Sequence, residues 1–385
     1  MGWALNLQGV VSEHDPYGFK RDSRYARREL AWEVVHAKQE LRQELLWVKH
    51  DAEQYQANHN SNGALGLAKL VRGGIPSRRR QTVWPQLLQA DALRSASPPG
   101  HFRALLEQAR LCPIPIVDEQ IELDLPRTFP GHLLLSDPEG IHALRQVLVA
   151  YSRRQPAVGY VQGMGFMAAL LLVVIEDVEE CFWCLAAVVE CRLPPHFLEG
   201  SLLGVRLEQA VFHDLLTKRE DLADILPGVP SELFSTPWFI AAFANTFPIE
   251  TRLRVWDVFL LEGVSALHQV GIAMLRTAEP KAVRCADTYG QLCVLQEEEA
   301  VCFDSDRLIR LAFEELLVGQ AKRRSGKRRS GEERSGNHRA GNCSSAELEV
   351  LRSKYRSQIT DSLGTLSPAT PRAPALTLSQ CLSLS

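Results

Sequence analysis

The segment Ile121-Glu-Leu-Asp124-Leu-Pro126-Arg127-Thr-Phe-Pro130 places an acid three residues before an arginine and encloses that arginine between two prolines. Proline interrupts helix and constrains the residue before it, so Arg127 is expected on an exposed loop. Downstream, Gly159-Tyr160-Val161-Gln162-Gly163-Met164 sets an aromatic residue and an amide beside glycines, with Gly159 freeing the turn into the next helix. The interval 138–154 reads as one uninterrupted helix, started by Asp137 as N-cap and Pro138 in the first turn. Such a helix spans about 25 Å. Residues 128–136 reach about 30 Å when extended, enough to carry the chain back along it. Arg127 and Gln162 are therefore able to meet at one end of that helix. Upstream, Arg72-Gly-Gly74-Ile75-Pro76 leads into Val83-Trp84.

Outward from these stretches the pattern stays helical. Apolar segments of helical length are expected near 78–93, 102–110, 138–154, 162–175, 179–191, 203–218, 235–245, 249–261, 265–277 and 304–318, punctuated by Pro and Gly and without sustained period-two alternation. Ser235-Thr236-Pro237 reads as a helix start. The fold class expected is all-α. Residues 24–56 lack Pro and Gly and are rich in helix formers, with Leu30, Val34, Leu41, Leu45 and Val48 near helical spacing. The stretch 58–66 (NHNSNGALG) looks like a linker. Three regions result: an N-terminal, mainly helical extension 1–66, a domain 67–318, and a tail 319–385.

The tail opens AKRRSGKRRSGEERSGNHRAGN, which offers almost nothing to bury and is expected to be disordered. Between 321 and 340 it holds eight basic and two acidic residues, while the whole chain carries a net charge of −3. The body ahead of the tail is thus acidic, which argues against nucleic acid as a partner, since phosphate binding needs a basic face. A solvated tail is the simplest reading of the basic run; a nuclear signal and a patch for transient contact with anionic membrane are the alternatives. The longest apolar run, 166–175, is too short to span a bilayer. With no secretory leader in its first 30 residues and nine sparse cysteines, the chain is expected in the cytoplasm with reduced thiols.

The I-x-x-D-x-x-R and Y-x-Q stretches together resemble the TBC domain of Rab GTPase-activating proteins, over about residues 67–318. Ser235-Thr-Pro-Trp238-Phe239 and Leu253-Arg254-Val-Trp256-Asp257 are similar to later helix motifs of that family, and Asp15-Pro-Tyr-Gly-Phe19 to the leaders of some members. The resemblance implies that the chain is not an enzyme alone but completes the active site of a GTP-bound Rab in trans, in vesicle trafficking. Arg127 would neutralise charge developing on the transferring phosphoryl group, through a planar guanidinium that stays charged. Gln162 would orient the attacking water, its amide both donating and accepting. Asp124, Tyr160 and Gly163 would support them, Asp124 by holding the guanidinium. No cofactor or metal of its own is implied; GTP and Mg²⁺ would come with the partner, and any membrane contact through that partner or the basic tail.

Each residue also has a plainer reading. Asp124 and Arg127 could form an ordinary surface ion pair, worth little. Gln162 could be a polar helix-entry residue, Tyr160 a packing residue with its hydroxyl tied down, and Trp84, Trp238 and Trp256 core. Arg254 and Asp257 fit a structural i,i+3 pair. Cys181-Phe-Trp-Cys184, with Cys191 and His196 nearby, has the spacing of a zinc or redox motif. It sits in a continuous apolar helix, however, where buried cysteine is the expected state. Without a phosphate-cradling loop ending in Lys-Ser or Lys-Thr, no nucleotide site of its own is expected. Two positions depart from the family pattern: Gly165, where a polar residue is common, and 276–301, where Pro280 and Gly290 interrupt an expected helix. The rival to an activator is a non-catalytic helical adaptor that binds an active GTPase or another trafficking protein.

Overall fold

The computed structural model describes residues 13–56, 63–217, 226, 229–313 and 345–364. Every regular element among the described residues is helical, apart from one isolated bridge between His14 and Lys20. In chain order they are α1 (Ala26–Gln56), α2 (Gly63–Gly73), α3 (Ser77–Leu88), α4 (Ala90–Ser95), α5 (His101–Leu111) and α6 (Pro115–Asp124). A 3₁₀ turn, Leu125–Arg127, leads to α7 (Pro138–Arg154), α8 (Met164–Ile175) and α9 (Val178–Ala187). There follow α10 (Leu203–Thr217), α11 (Ser231–Ile240), α12 (Ile249–Glu262), α13 (Val264–Ala282), α14 (Thr288–Ala300), α15 (Ser305–Phe313) and α16 (Ser345–Gly364).

Hydrophobicity on all sides sends α8 to the centre, and α12 joins it with its charged Arg254 and Asp257 each paired with a residue of another helix. Met167, Ala168, Leu170 and Leu171 of α8 are fully buried, with α3, α7 and α9 packed around them. Helix α12 is buried from Ile249 to Leu260 and lies against α2, α3, α13 and α15. Caps fix several starts: Asp137 accepts from the Glu139 amide ahead of α7, Asp177 from Glu180 ahead of α9, and Asp287 from Gly290 ahead of α14. The Asp137-Pro138 start expected from the sequence is thus in place.

Other boundaries moved for local reasons. The helix expected over 78–93 breaks at Gln89, which adopts a left-handed φ of 55°. Ser235 and Pro237 lie inside α11, which begins at Ser231 and ends at Ile240; Ala242 and Phe243 turn left-handed and stop it before the expected 245. The linker expected over 58–66 is helical from Gly63 onward. Pro280 falls in the last turn of α13 and Gly290 in the first turn of α14, so the chain remains helical across much of 276–301. Pro115 opens α6, a helix the apolar periodicity did not reveal.

Within the tail that was expected to lack order, Ser345–Gly364 forms helix α16, which docks on α10. Leu348 and Leu351 are buried with Val211 and Leu215. Below them Arg352 donates to the buried Glu208 at 2.5 and 3.1 Å, and His268 meets the same carboxylate at 2.7 Å. The few apolar and charged residues of 345–364 find partners already waiting on α10, which composition averaged over the whole tail conceals. The basic run 321–340 lies outside the described residues, as do residues 1–12.

Candidate functional site

Helix α6 carries Asp124 in its last turn and is pinned to α7 by Arg153, which donates twice to Asp118 at 2.7 Å, and by Arg145, which pairs with Glu122. Pro126 does not leave a free loop at once: Leu125–Arg127 forms a single 3₁₀ turn, after which Thr128 is extended. Arg127 projects from the end of that turn with its side chain 43 % exposed, while the Asp124 side chain paired with it is 4 % exposed.

That contrast sets the pair apart from one between two exposed side chains. Asp124 Oδ1 accepts from Arg127 Nη2 and from Gln120 Nε2, and Oδ2 accepts from the Tyr160 hydroxyl at 2.7 Å. Thr128 closes the turn by donating its hydroxyl to the Asp124 carbonyl at 2.9 Å. A buried carboxylate bonded on both oxygens is a fixed anchor, unlike a surface ion pair. Burial pushes the Tyr160 phenol up, reinforced by the Asp124 charge, so it remains a donor at any physiological pH. Tyr160 is therefore tied down as expected, and the group that ties it is the one holding Arg127.

Two residues past Tyr160, Gln162 lies within about 7 Å of chain from it. It is half-buried and precedes α8, which starts at Met164, so it stands in the turn before the helix and not in its first position. Gly163 makes that turn possible: its φ is 113°, and a Cβ there would sit 2.9 Å from the Ile240 side chain and carbonyl. Gly165, the departure from the family pattern, has a close-packing cause. A Cβ on it would come within 3.1 Å of Thr128 Oγ1 and 3.2 Å of the Tyr160 hydroxyl. The Arg127 turn and the Tyr160 turn both press against the first turn of α8 at this point. Thus Asp124, Arg127, Tyr160 and Gly163 share one neighbourhood with the backbone that carries Gln162.

The other sequence motifs meet elsewhere. Trp84 Nε1 donates to Asp257 at 2.8 Å, the Ile75 amide donates to the same carboxylate, and Arg80 donates to it through Nε and Nη2. Arg254 lies only at the edge of contact with Asp257, 4.0 Å away, and instead donates to the carbonyls of Val71 and Arg72 and to Asp306. The structural pair of Asp257 is therefore Arg80, which sequence spacing alone did not single out. Trp84, Trp238 and Trp256 are core residues. Cys181 and Cys184 are both fully buried in α9, and burial pushes their thiols up.

With this geometry, residues 77–283 match the family model for the Rab-GTPase-TBC domain. The chain belongs to the Rab-GTPase-TBC family. It is 32 % identical over 317 residues to TBC1 domain family member 2A of Mus musculus, which covers 80 % of this chain and 34 % of the relative. It is 30 % identical over 327 residues to TBC1 domain family member 2B of Homo sapiens, with coverage of 80 % and 33 %. The chain thus spans about a third of the length of the curated relatives it matches. Among solved structures, the Chlamydomonas flagellar RabGAP TBC domain is similar with a TM-score of 0.66 at 27 % identity, covering 78 % of this chain and 99 % of that one. The Ypt/Rab-GAP domain of Gyp1p shares the fold with a TM-score of 0.57 at 20 % identity, over 72 % and 99 %. The TBC match begins at Ser77, so α1, α2 and the segment from Glu13 onward lie ahead of it.

Proposed function

We propose that this chain accelerates GTP hydrolysis by a GTP-loaded Rab, with Arg127 and Gln162 entering the partner's site in trans. The observation that carries the reading is the Asp124 bridge: one buried carboxylate holds the Arg127 guanidinium and the hydroxyl two residues before Gln162. Arg127 spends one nitrogen on that anchor while its exposed side chain is able to reach a phosphoryl group, where a fork of donors lowers the barrier. Gln162 orients the attacking water. Nucleotide and Mg²⁺ arrive with the Rab, so the chain supplies residues and not a complete active site. It works in the cytoplasm and meets a membrane through its Rab or its basic tail; among the described residues, no helix is long and apolar enough to cross one.

Single-turnover hydrolysis over a panel of GTP-loaded Rabs tests this. Wild type is expected to accelerate at least one Rab, and Arg127→Ala or Arg127→Lys to lower that acceleration by about 10³-fold or more, some 4 kcal/mol of barrier. Gln162→Ala should do nearly the same; the variants should keep the fold, with the melting temperature lower for Arg127→Ala because Asp124 loses its cation. Tight binding of a GTP-loaded Rab with no acceleration by wild type would instead establish the adaptor reading.

A further inference from the structure

The segment ahead of α1 folds back over the exit of the Arg127 turn. Phe129, two residues past Arg127, holds a left-handed φ of 51°, which a bulky side chain rarely adopts without external support. Its ring is 5.1 Å, edge-on, from Phe19 and 5.2 Å from Phe166 of α8. Arg252 of α12 lies over two of these rings, 5.2 Å from Phe19 and 4.8 Å from Phe129. It is a buried cation with one bond, to the Phe247 carbonyl at 2.7 Å, and its Nε and Nη1 find no hydrogen-bond partner among the described residues. Ring faces are the compensation available to it.

Backbone contacts complete the join. The Leu133 amide donates to the Gly18 carbonyl at 2.9 Å, and His14 Nε2 meets the Gly131 carbonyl at 3.1 Å. His132 receives the Leu135 amide on Nδ1, which leaves Nε2 to donate to the Tyr17 carbonyl at 2.9 Å. The segment is itself tied to the core, since Asp15 accepts from the amides of Tyr17 and Phe19, and Tyr17 donates to Glu250 at 2.8 Å.

We propose that residues 14–20 are a positioning element for Arg127: Phe19, with Arg252 behind it, holds Phe129 in its left-handed conformation and so sets where the preceding turn presents the guanidinium. The inference rests on the reading of Arg127 given above. It assigns a role in the hydrolysis reaction to a segment more than 50 residues ahead of the matched domain.

The test is steady-state hydrolysis by the Rab that wild type accelerates most, GTP-loaded with Mg²⁺, comparing the 385-residue wild-type chain, Arg127→Ala, Phe19→Ala, Phe19→Leu and Phe19→Tyr. Misplacing a reacting group by about 1 Å costs up to about a hundredfold in rate, so Phe19→Ala is expected to lower kcat by about 10- to 100-fold with KM for the Rab within about twofold. Phe19→Leu, which keeps an apolar side chain of reduced volume but not the ring, should fall between. Phe19→Tyr keeps the ring of this only partly buried residue and should restore kcat. As a control for stability, Leu295→Ala opens the core on α14 and should leave kcat unchanged. Wild-type kcat in Phe19→Ala and Phe19→Leu would overturn the proposal, as would a rise in KM alone or an equal kcat loss in Leu295→Ala. If wild type accelerates no Rab, or Arg127→Ala keeps full activity, the parent reading fails; an active wild type, a dead Arg127→Ala and an unimpaired Phe19→Ala would sink the positioning role alone.

Discussion

Asp124 is the residue on which the site turns, because burial makes its charge expensive unless both oxygens are satisfied. Arg127, Gln120 and Tyr160 satisfy them, and removing the Tyr160 hydroxyl leaves Arg127 attached to an anchor held on one oxygen only. Tyr160→Phe is therefore expected to reduce stimulated hydrolysis by roughly 10- to 100-fold, the rate equivalent of one hydrogen bond of about 1.5–3 kcal/mol to a charged group. The fold should survive, since the ring still packs; kcat and KM for the Rab, measured with a melting curve, check this, and unaltered kcat would assign the hydroxyl to packing only. The I-x-x-D-x-x-R and Y-x-Q spacings made Asp124, Arg127, Tyr160 and Gln162 legible in the sequence as candidates. Thr128, Gln120 and Phe129 were not, because their parts depend on a backbone turn and a left-handed φ that leave no periodic mark in the sequence.

At the scale of elements, the sequence announced helices where apolar spacing was long and regular, as in α7, α8, α12 and α13, and failed where a helix is short or its partners are distant. Helix α6 hides because only Ile121 and Asp124 of its ten residues are buried, too few to mark a face. The Arg80–Asp257 pairing hides because 177 residues separate its members. Helix α16 hides in a polar tail whose average composition outweighs Leu348, Leu351 and Arg352. What holds α16 is chiefly Arg352 on a carboxylate that is completely enclosed: burial works to raise Glu208, but its bonds to His268 and Arg352 outweigh that and hold it below the usual carboxylate range. Removing one member of such a buried pair costs about 3–5 kcal/mol. Arg352→Ala should then release α16 while the rest of the domain stays folded, because Glu208 retains His268. Hydrogen exchange would show protection lost across 345–364 and on the α10 face around Val211, with α8 and α12 unchanged; full protection of α16 in the variant would mean that Leu348 and Leu351 hold it alone.

For the molecule as a whole, pH is the variable that separates the buried acids. Burial works to raise Glu250, but the Arg80 charge together with the hydrogen bonds from Arg80 and Tyr17 holds it below its ordinary range, so it favours the fold at neutral pH and is lost as an acceptor in acid. Asp15 and Glu299 run the other way. Burial pushes Asp15 up to about 6 despite its bonds from Phe19 and Tyr17, and pushes Glu299 up to about 8 despite the Trp238 indole donating to it at 2.8 Å. A raised carboxyl binds its proton more tightly folded than unfolded, so its contribution is complete below the unfolded value and fades as pH climbs through the folded one. For Glu299 that window runs from 4.5 to about 8, and the loss across it is on the order of a few kcal/mol at most. Glu299→Gln keeps an acceptor for Trp238 and removes the titration. The two proteins share every other ionising group, so the difference between their melting temperatures isolates this one: it should widen from pH 5 to pH 9 in favour of the variant by about 5 °C. Parallel melting curves over that range would show that Glu299 reaches solvent and ionises without cost, and that the contact between α11 and α14 is indifferent to its charge.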